Sequence, residues 1–93
     1  MKAKELERAI AITRGVIEEW KPYAWADDVS EFDREIRAVA KQLPRIKSGR
    51  DATQAISRVF SSSFQACDFP PESCSSAGDL LFSRLEAAGL VPA

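Results

Sequence analysis

Histidine is absent from this sequence of 93 residues. That absence removes Ser–His and Cys–His nucleophile pairs and every metal site that needs an imidazole. Cysteine is scarce. Cys67 and Cys74 alone do not make a closed zinc site, and with no secretory leader ahead of them they are expected as two reduced thiols. Long hydrophobic runs are missing too. The longest uninterrupted one is Ala9 to Ile12, far short of the roughly 20 residues of a membrane span and of a signal-peptide core. A cytoplasmic protein without a membrane segment is the expectation. No glycine-rich phosphate loop occurs, and no internal repeat. Nor does one sign of charge prevail: 13 basic against 14 acidic residues leave a net charge of −1. No global field therefore draws the chain to nucleic acid or membrane, and any electrostatic recognition must be local.

What is present belongs to an ordinary folded domain. Apolar residues make up 45 % of the chain and charged residues 29 %, a balance able to bury a core rather than one that leaves a chain disordered. The length suits a single domain over 1–93. No stretch alternates apolar and polar residues as a half-buried strand would, whereas helical spacing recurs four times.

The first helix is expected over about 2–21, with Leu6, Ala9, Ile10, Thr13, Val16, Ile17 and Trp20 on one face; Pro22 ends it. Gly15 falls on the outer side of this helix without an evident packing reason. The second is expected over 29–43. Asp28 and Glu31 supply a capping box, with Ser30 as the alternative cap; Val29, Phe32, Ile36, Val39 and Leu43 supply the core stripe, and Pro44 the limit. The third, over 52–67, takes Asp51 and Gln54 as its cap and Ala52, Ile56, Val59, Phe60, Phe64 and Cys67 as its apolar face. Ser61, Ser62 and Ser63 weaken its later turns. The segment Phe69 to Ser76, rich in proline and serine, reads as a connection with Cys74 exposed in it, or as one that holds a helical turn starting at Pro71. A fourth helix over 77–88 follows, capped by Ser76 and Asp79. It carries Ala77, Leu81, Leu85 and Ala88 inward and stops at Gly89 with Leu90 behind it. The fold expected is an all-α bundle of four helices.

The near-zero net charge hides an uneven distribution. Residues 1–33 hold five basic and eight acidic side chains, 34–50 six and one, and 51–93 two and five. The basic block is Arg34, Arg37, Lys41, Arg45, Lys47 and Arg50. On the second helix Arg34, Arg37 and Lys41 lie nearly opposite Phe32, Ile36, Val39 and Leu43, so burial of the core leaves a positive ridge outside. Such a ridge suits an acidic protein surface or phosphates; it is also what a solvated helix end with favourable dipole charges looks like. The acidic group Asp27, Asp28, Glu31 and Asp33 sits at the opposite, N-terminal end, where negative charge stabilises the helix. With neither histidine nor a phosphate loop beside it, this group does not read as acid–base or metal machinery.

Both tryptophans and the one tyrosine fall between Trp20 and Trp25. Trp20 projects onto the first helix's core face. Tyr23 and Trp25 lie beyond Pro22 with no helical face to claim them, and serve either as core or as interface anchors. The closing stretch Leu80-Leu81-Phe82-Ser83-Arg84-Leu85-Glu86-Ala87-Ala88-Gly89-Leu90-Val91 resembles the helix and exit turn late in winged-helix DNA-binding domains. That resemblance covers about a dozen residues; the basic block lies on the second helix.

The expected function is non-enzymatic, with no cofactor or metal: a small helical protein that binds a macromolecular partner, most readily a protein. Tyr23, Trp25 and the ridge from Arg34 to Arg50 form the expected contact surface. Small chains of this kind include inhibitors and adaptors, among them phage-encoded blockers of bacterial defence systems such as anti-CRISPR proteins. The alternative is a nucleic-acid-binding module using the same ridge over 34–50.

Overall fold

Four α-helices carry the fold in a computed structural model that describes residues 2–20, 29–63 and 69–91. They are α1 (Ala3–Trp20), α2 (Asp33–Ala40), α3 (Gly49–Ser63) and α4 (Pro71–Ala87), with 3₁₀ turns at Val29–Phe32 and Leu43–Arg45 flanking α2. Helical residues are 84 % of those described and no strand occurs among them, so the chain is an all-α bundle. The helices neighbour one another in a ring: α1 packs on α2, α2 on α3, α3 on α4, and α4 back on α1. The α3–α4 contact is the most extensive of the four. No helix among the described residues is long and apolar enough to cross a membrane.

On α1, Ala9, Thr13, Val16 and Ile17 are buried, while Leu6, Ile10, Ile12 and Trp20 are partly buried against the core. Thr13 hides its hydroxyl by donating to the Ala9 carbonyl at 2.7 Å, one turn back. Gly15 has a neighbour after all. A methyl group there would meet the Arg84 guanidinium at 3.4 Å, an ordinary contact with a flexible side chain. Arg84 itself reaches across from α4 to pair with Glu19.

The second segment is not one helix over 29–43. Its stripe of Phe32, Ile36, Val39 and Leu43 is buried as the spacing predicts, joined by Ala40 and Ile46. The α-helical part nevertheless spans only Asp33–Ala40. Pro44 has no N–H to offer, so the exit tightens into i→i+3 bonds: Gln42 donates to Val39 at 2.9 Å, Arg45 to Gln42 at 2.8 Å and Ile46 to Leu43 at 3.0 Å. Asp28, the expected cap, lies outside the described residues, as do Phe64 and Cys67.

The third helix starts three residues before the expected Ala52. Ser48 is its cap: the Asp51 N–H donates to the Ser48 hydroxyl at 3.2 Å, and the Asp51 carboxylate accepts from the Lys47 N–H at 3.0 Å. Asp51 therefore works from inside the first turn, where its charge favours the positive helix end.

The fourth helix starts at Pro71, six residues before the expected Ala77. Proline at the first helical position forfeits no hydrogen bond, which outweighs the poor helix preference of the serines that follow. Ser73, Ser75 and Ser76 face outward, and Ser76 caps nothing. Cys74, expected in an exposed connection, points inward on the same face as Ala77, Gly78, Leu81 and Leu85 and is buried completely. That burial pushes the Cys74 thiol up from its ordinary value, with Glu72 adding to the effect. At the far end Gly89 takes φ +74°, donates to Glu86, and lets Leu90 donate to Leu85 at 2.9 Å. This is the left-handed stop expected of Gly-Leu.

At Gly78, α3 and α4 approach closely. An added methyl group would sit 2.0 Å from the Thr53 hydroxyl oxygen and 2.6 Å from its Cα and N, so only glycine fits the crossing. Nearby, Phe60 forms the centre of an aromatic group with Trp20 at 5.6 Å, Phe32 at 5.8 Å and Phe69 at 5.3 Å between ring centroids. Offset and edge contacts of this kind add about 0.5–1.5 kcal/mol per pair to the burial itself. The Phe69 carbonyl accepts from the Ser57 hydroxyl at 2.6 Å and, at 3.3 Å, from Ser61, with the Cys74 thiol at 3.9 Å. Ser57, aided by Ser61 from the serine run that weakens helix preference, thus holds the entry to α4.

Candidate functional site

With its apolar stripe turned inward, the segment 34–50 leaves Arg34, Arg37, Lys41, Arg45, Lys47 and Arg50 all exposed. Their placement is not equivalent. Arg34, Arg37 and Lys41 follow the outer side of α2 at intervals of three and four, as one stripe. Arg37 is engaged: its Nε donates to Asp33 Oδ2 at 3.0 Å, while Arg14 of α1 donates to Asp33 Oδ1 at 2.6 Å. Hydrogen bonds from Arg37 first and Arg14 second hold the Asp33 carboxyl below its usual value. Asp33 thus links α1 to α2 and claims one cation of the stripe. Among the described residues, Arg34, Lys41, Arg45, Lys47 and Arg50 enter no ion pair.

Beyond α2 the basic segment divides around Ile46, which is buried and lines two hollows. One, of about 420 Å³, lies between the 3₁₀ turn and the outer face of α3. Gln42, Arg45 and Ile46 line it from the turn; Asp51, Gln54, Ala55, Arg58 and Val59 line it from α3, at intervals that keep them on one side of the helix. The other, of about 300 Å³, brings Lys47 together with Glu5 of α1 over Leu43, Pro44, Leu90 and Val91. Arg45 and Lys47 therefore serve different hollows, and Arg50 lines neither.

Tyr23 and Trp25 lie outside the described residues. Trp20 packs partly buried against Phe60 and Phe69 and belongs to the core. Of the acidic group, Glu31 is exposed and Asp33 is held by the two arginines. No cluster of three cysteine, aspartate or glutamate side chains able to hold a metal occurs among the described residues.

Arg58 and Gln42 are additions that the sequence pattern does not single out, and Gln54 enters it only as part of a helix cap. Gln54 and Arg58 share α3, and they meet Gln42 only because α3 folds back beside the turn that leaves α2. The one legible trace is the outward spacing of Asp51, Gln54 and Arg58 on α3. Compared with known proteins, the chain matches no family model, no curated protein and no solved structure.

Proposed function

We propose that this protein is a non-enzymatic binding protein that uses the cationic face of α2 and the adjoining turn to hold an acidic surface of a partner protein, as an inhibitor or adaptor. The observation that carries the proposal is the set of five exposed cations on 34–50 without carboxylate partners among the described residues, in a chain whose net charge is −1. Unpaired cations gathered in one segment of a chain that is net acidic elsewhere favour a complementary partner and steer its approach. Inhibition of a bacterial defence component by a phage-encoded protein of the anti-CRISPR type is one setting in which a small, charged face suffices. A cytoplasmic location belongs to the same proposal, and buried Cys74 as a free thiol is compatible with a reducing compartment.

Affinity capture from nuclease-treated host lysate, with wild type and an Arg34→Glu/Lys41→Glu variant side by side, tests the proposal. A component retained by wild type and lost by the variant is the expected outcome. The second reading, a nucleic-acid module, is favoured by the same five cations. It predicts tight binding to mixed-sequence duplex DNA at low salt, falling steeply as salt rises. Such a slope together with loss of capture after nuclease treatment contradicts protein binding.

A further inference from the structure

We infer that the groove between the turn after α2 and the outer face of α3 binds an acidic peptide segment in which a carboxylate side chain lies beside an apolar one. This rests on the protein-binding function proposed above and narrows it to a ligand chemistry. Arg45 and Arg58 line the groove from different elements, and both are exposed. Guanidinium groups present planar forks that match a carboxylate with two parallel hydrogen bonds. Gln42 and Gln54 each bring a donor and an acceptor, the pairing that a peptide backbone needs. Below them lies an apolar floor of Ile46, Ala55 and Val59, the first two buried and the third partly so.

Phosphate alone would engage the arginines and leave that floor wet. Asp51 decides further against a dianion. Its carboxylate lines the same groove and, although it accepts from the Lys47 N–H, it keeps the groove weakly rather than strongly cationic. A monoanionic carboxylate beside a leucine-like side chain uses both the arginines and the floor. The volume of about 420 Å³ is more than a lone carboxylate fills and falls within the roughly 300–1,000 Å³ of ligand-sized pockets.

The test is a titration of the ¹⁵N-labelled full chain, followed by amide and arginine Nε shifts. Three probes are used: an end-blocked peptide with Leu-Glu-Glu-Leu at its centre, its counterpart with Leu-Gln-Gln-Leu, and inorganic phosphate. Saturable shifts at Gln42, Gln54, Ala55 and Arg58 are expected with the Glu peptide at up to about millimolar concentration. Affinity should fall at least about tenfold for the Gln peptide and for Arg45→Gln/Arg58→Gln. Both arginines are exposed, so the variant should fold, and its own spectrum checks that. Absence of saturable shifts, equal binding of the Gln peptide, or reproduction of the shifts by phosphate each overturns the inference. Shifts confined to Arg34 and Lys41 remove the groove and leave the protein-binding face standing. Steep, salt-sensitive binding to duplex DNA removes both.

Discussion

The α3–α4 pair and the α2 segment use their residues in opposite ways. Between α3 and α4 the sequence goes into close approach: Gly78 against Thr53, three donors gathered on the Phe69 carbonyl, and Cys74, Leu81 and Leu85 buried on one face. The α2 segment has an α-helical part of eight residues between two 3₁₀ turns, buries one stripe, and leaves six cations outside. Folding alone accounts for almost every residue described at the first site. At the second it accounts for the inward stripe and for Arg37, and leaves the other five cations without an ion pair among the described residues.

The hardest blow to that contrast falls at Gly78. Gly78→Ala forces a methyl group into the Thr53 backbone, and the helices must separate; a loss of about 3 kcal/mol or more is expected in urea denaturation. An unchanged midpoint would mean that the α3–α4 crossing is not the rigid part of the molecule. Ser57→Ala removes the shorter hydroxyl bond to Phe69 O and should cost about 1–2 kcal/mol, since Ser61 remains as a donor. If Ser57→Ala is neutral, the entry to α4 is held by packing alone. Gly15→Ala sharpens the comparison from the other side. Its methyl group meets only a flexible arginine, so the variant should keep its stability or gain up to about 1 kcal/mol from helix preference. A large loss there would show α1 and α4 to be as closely fitted as α3 and α4.

The smallest effect is electrostatic. Asp33 is held below its ordinary value by Arg37 and Arg14, so its contribution to stability is fully present above the unfolded-state pKa of about 3.9. It is lost as pH falls through the lower folded-state value. Wild type and Asp33→Asn should therefore differ at neutral pH and converge at the acid end of a stability–pH series. A difference that persists after Asp33 is protonated would contradict the assigned ion pairs.

Much of the fold is legible from apolar spacing and proline position. The inward stripes of α1 and α2 follow from helical periodicity, and Gly89-Leu90 marks the end of α4 because left-handed backbone favours glycine. Helix starts are less legible, because competing local signals coexist. The spacing predicts Asp51 as the cap, and only the hydrogen bonds show Ser48 in that position. At α4 the serine-rich stretch argues for a connection and Pro71 for a helix start, while Cys74, Ala77, Gly78 and Leu81 share helical spacing. The candidate face divides similarly. Exposure of Arg34, Arg37 and Lys41 is implied by the stripe opposite them. The groove shared by Arg45 and Arg58 depends on the order in which helices neighbour one another, which no local pattern encodes. Asp33's hold on Arg37 is half legible, as a pair four residues apart, while Arg14 joins only through the α1–α2 contact.

The central claim is that the cationic face of α2 is spare for folding and needed for binding. Its most direct test is the dissociation constant of the captured partner for wild type and for Arg34→Glu/Lys41→Glu. The account predicts affinity weakened by about a hundredfold, since two reversed charges would meet an acidic surface, with the urea midpoint of the variant almost unchanged. Equal affinity for the two proteins would contradict it.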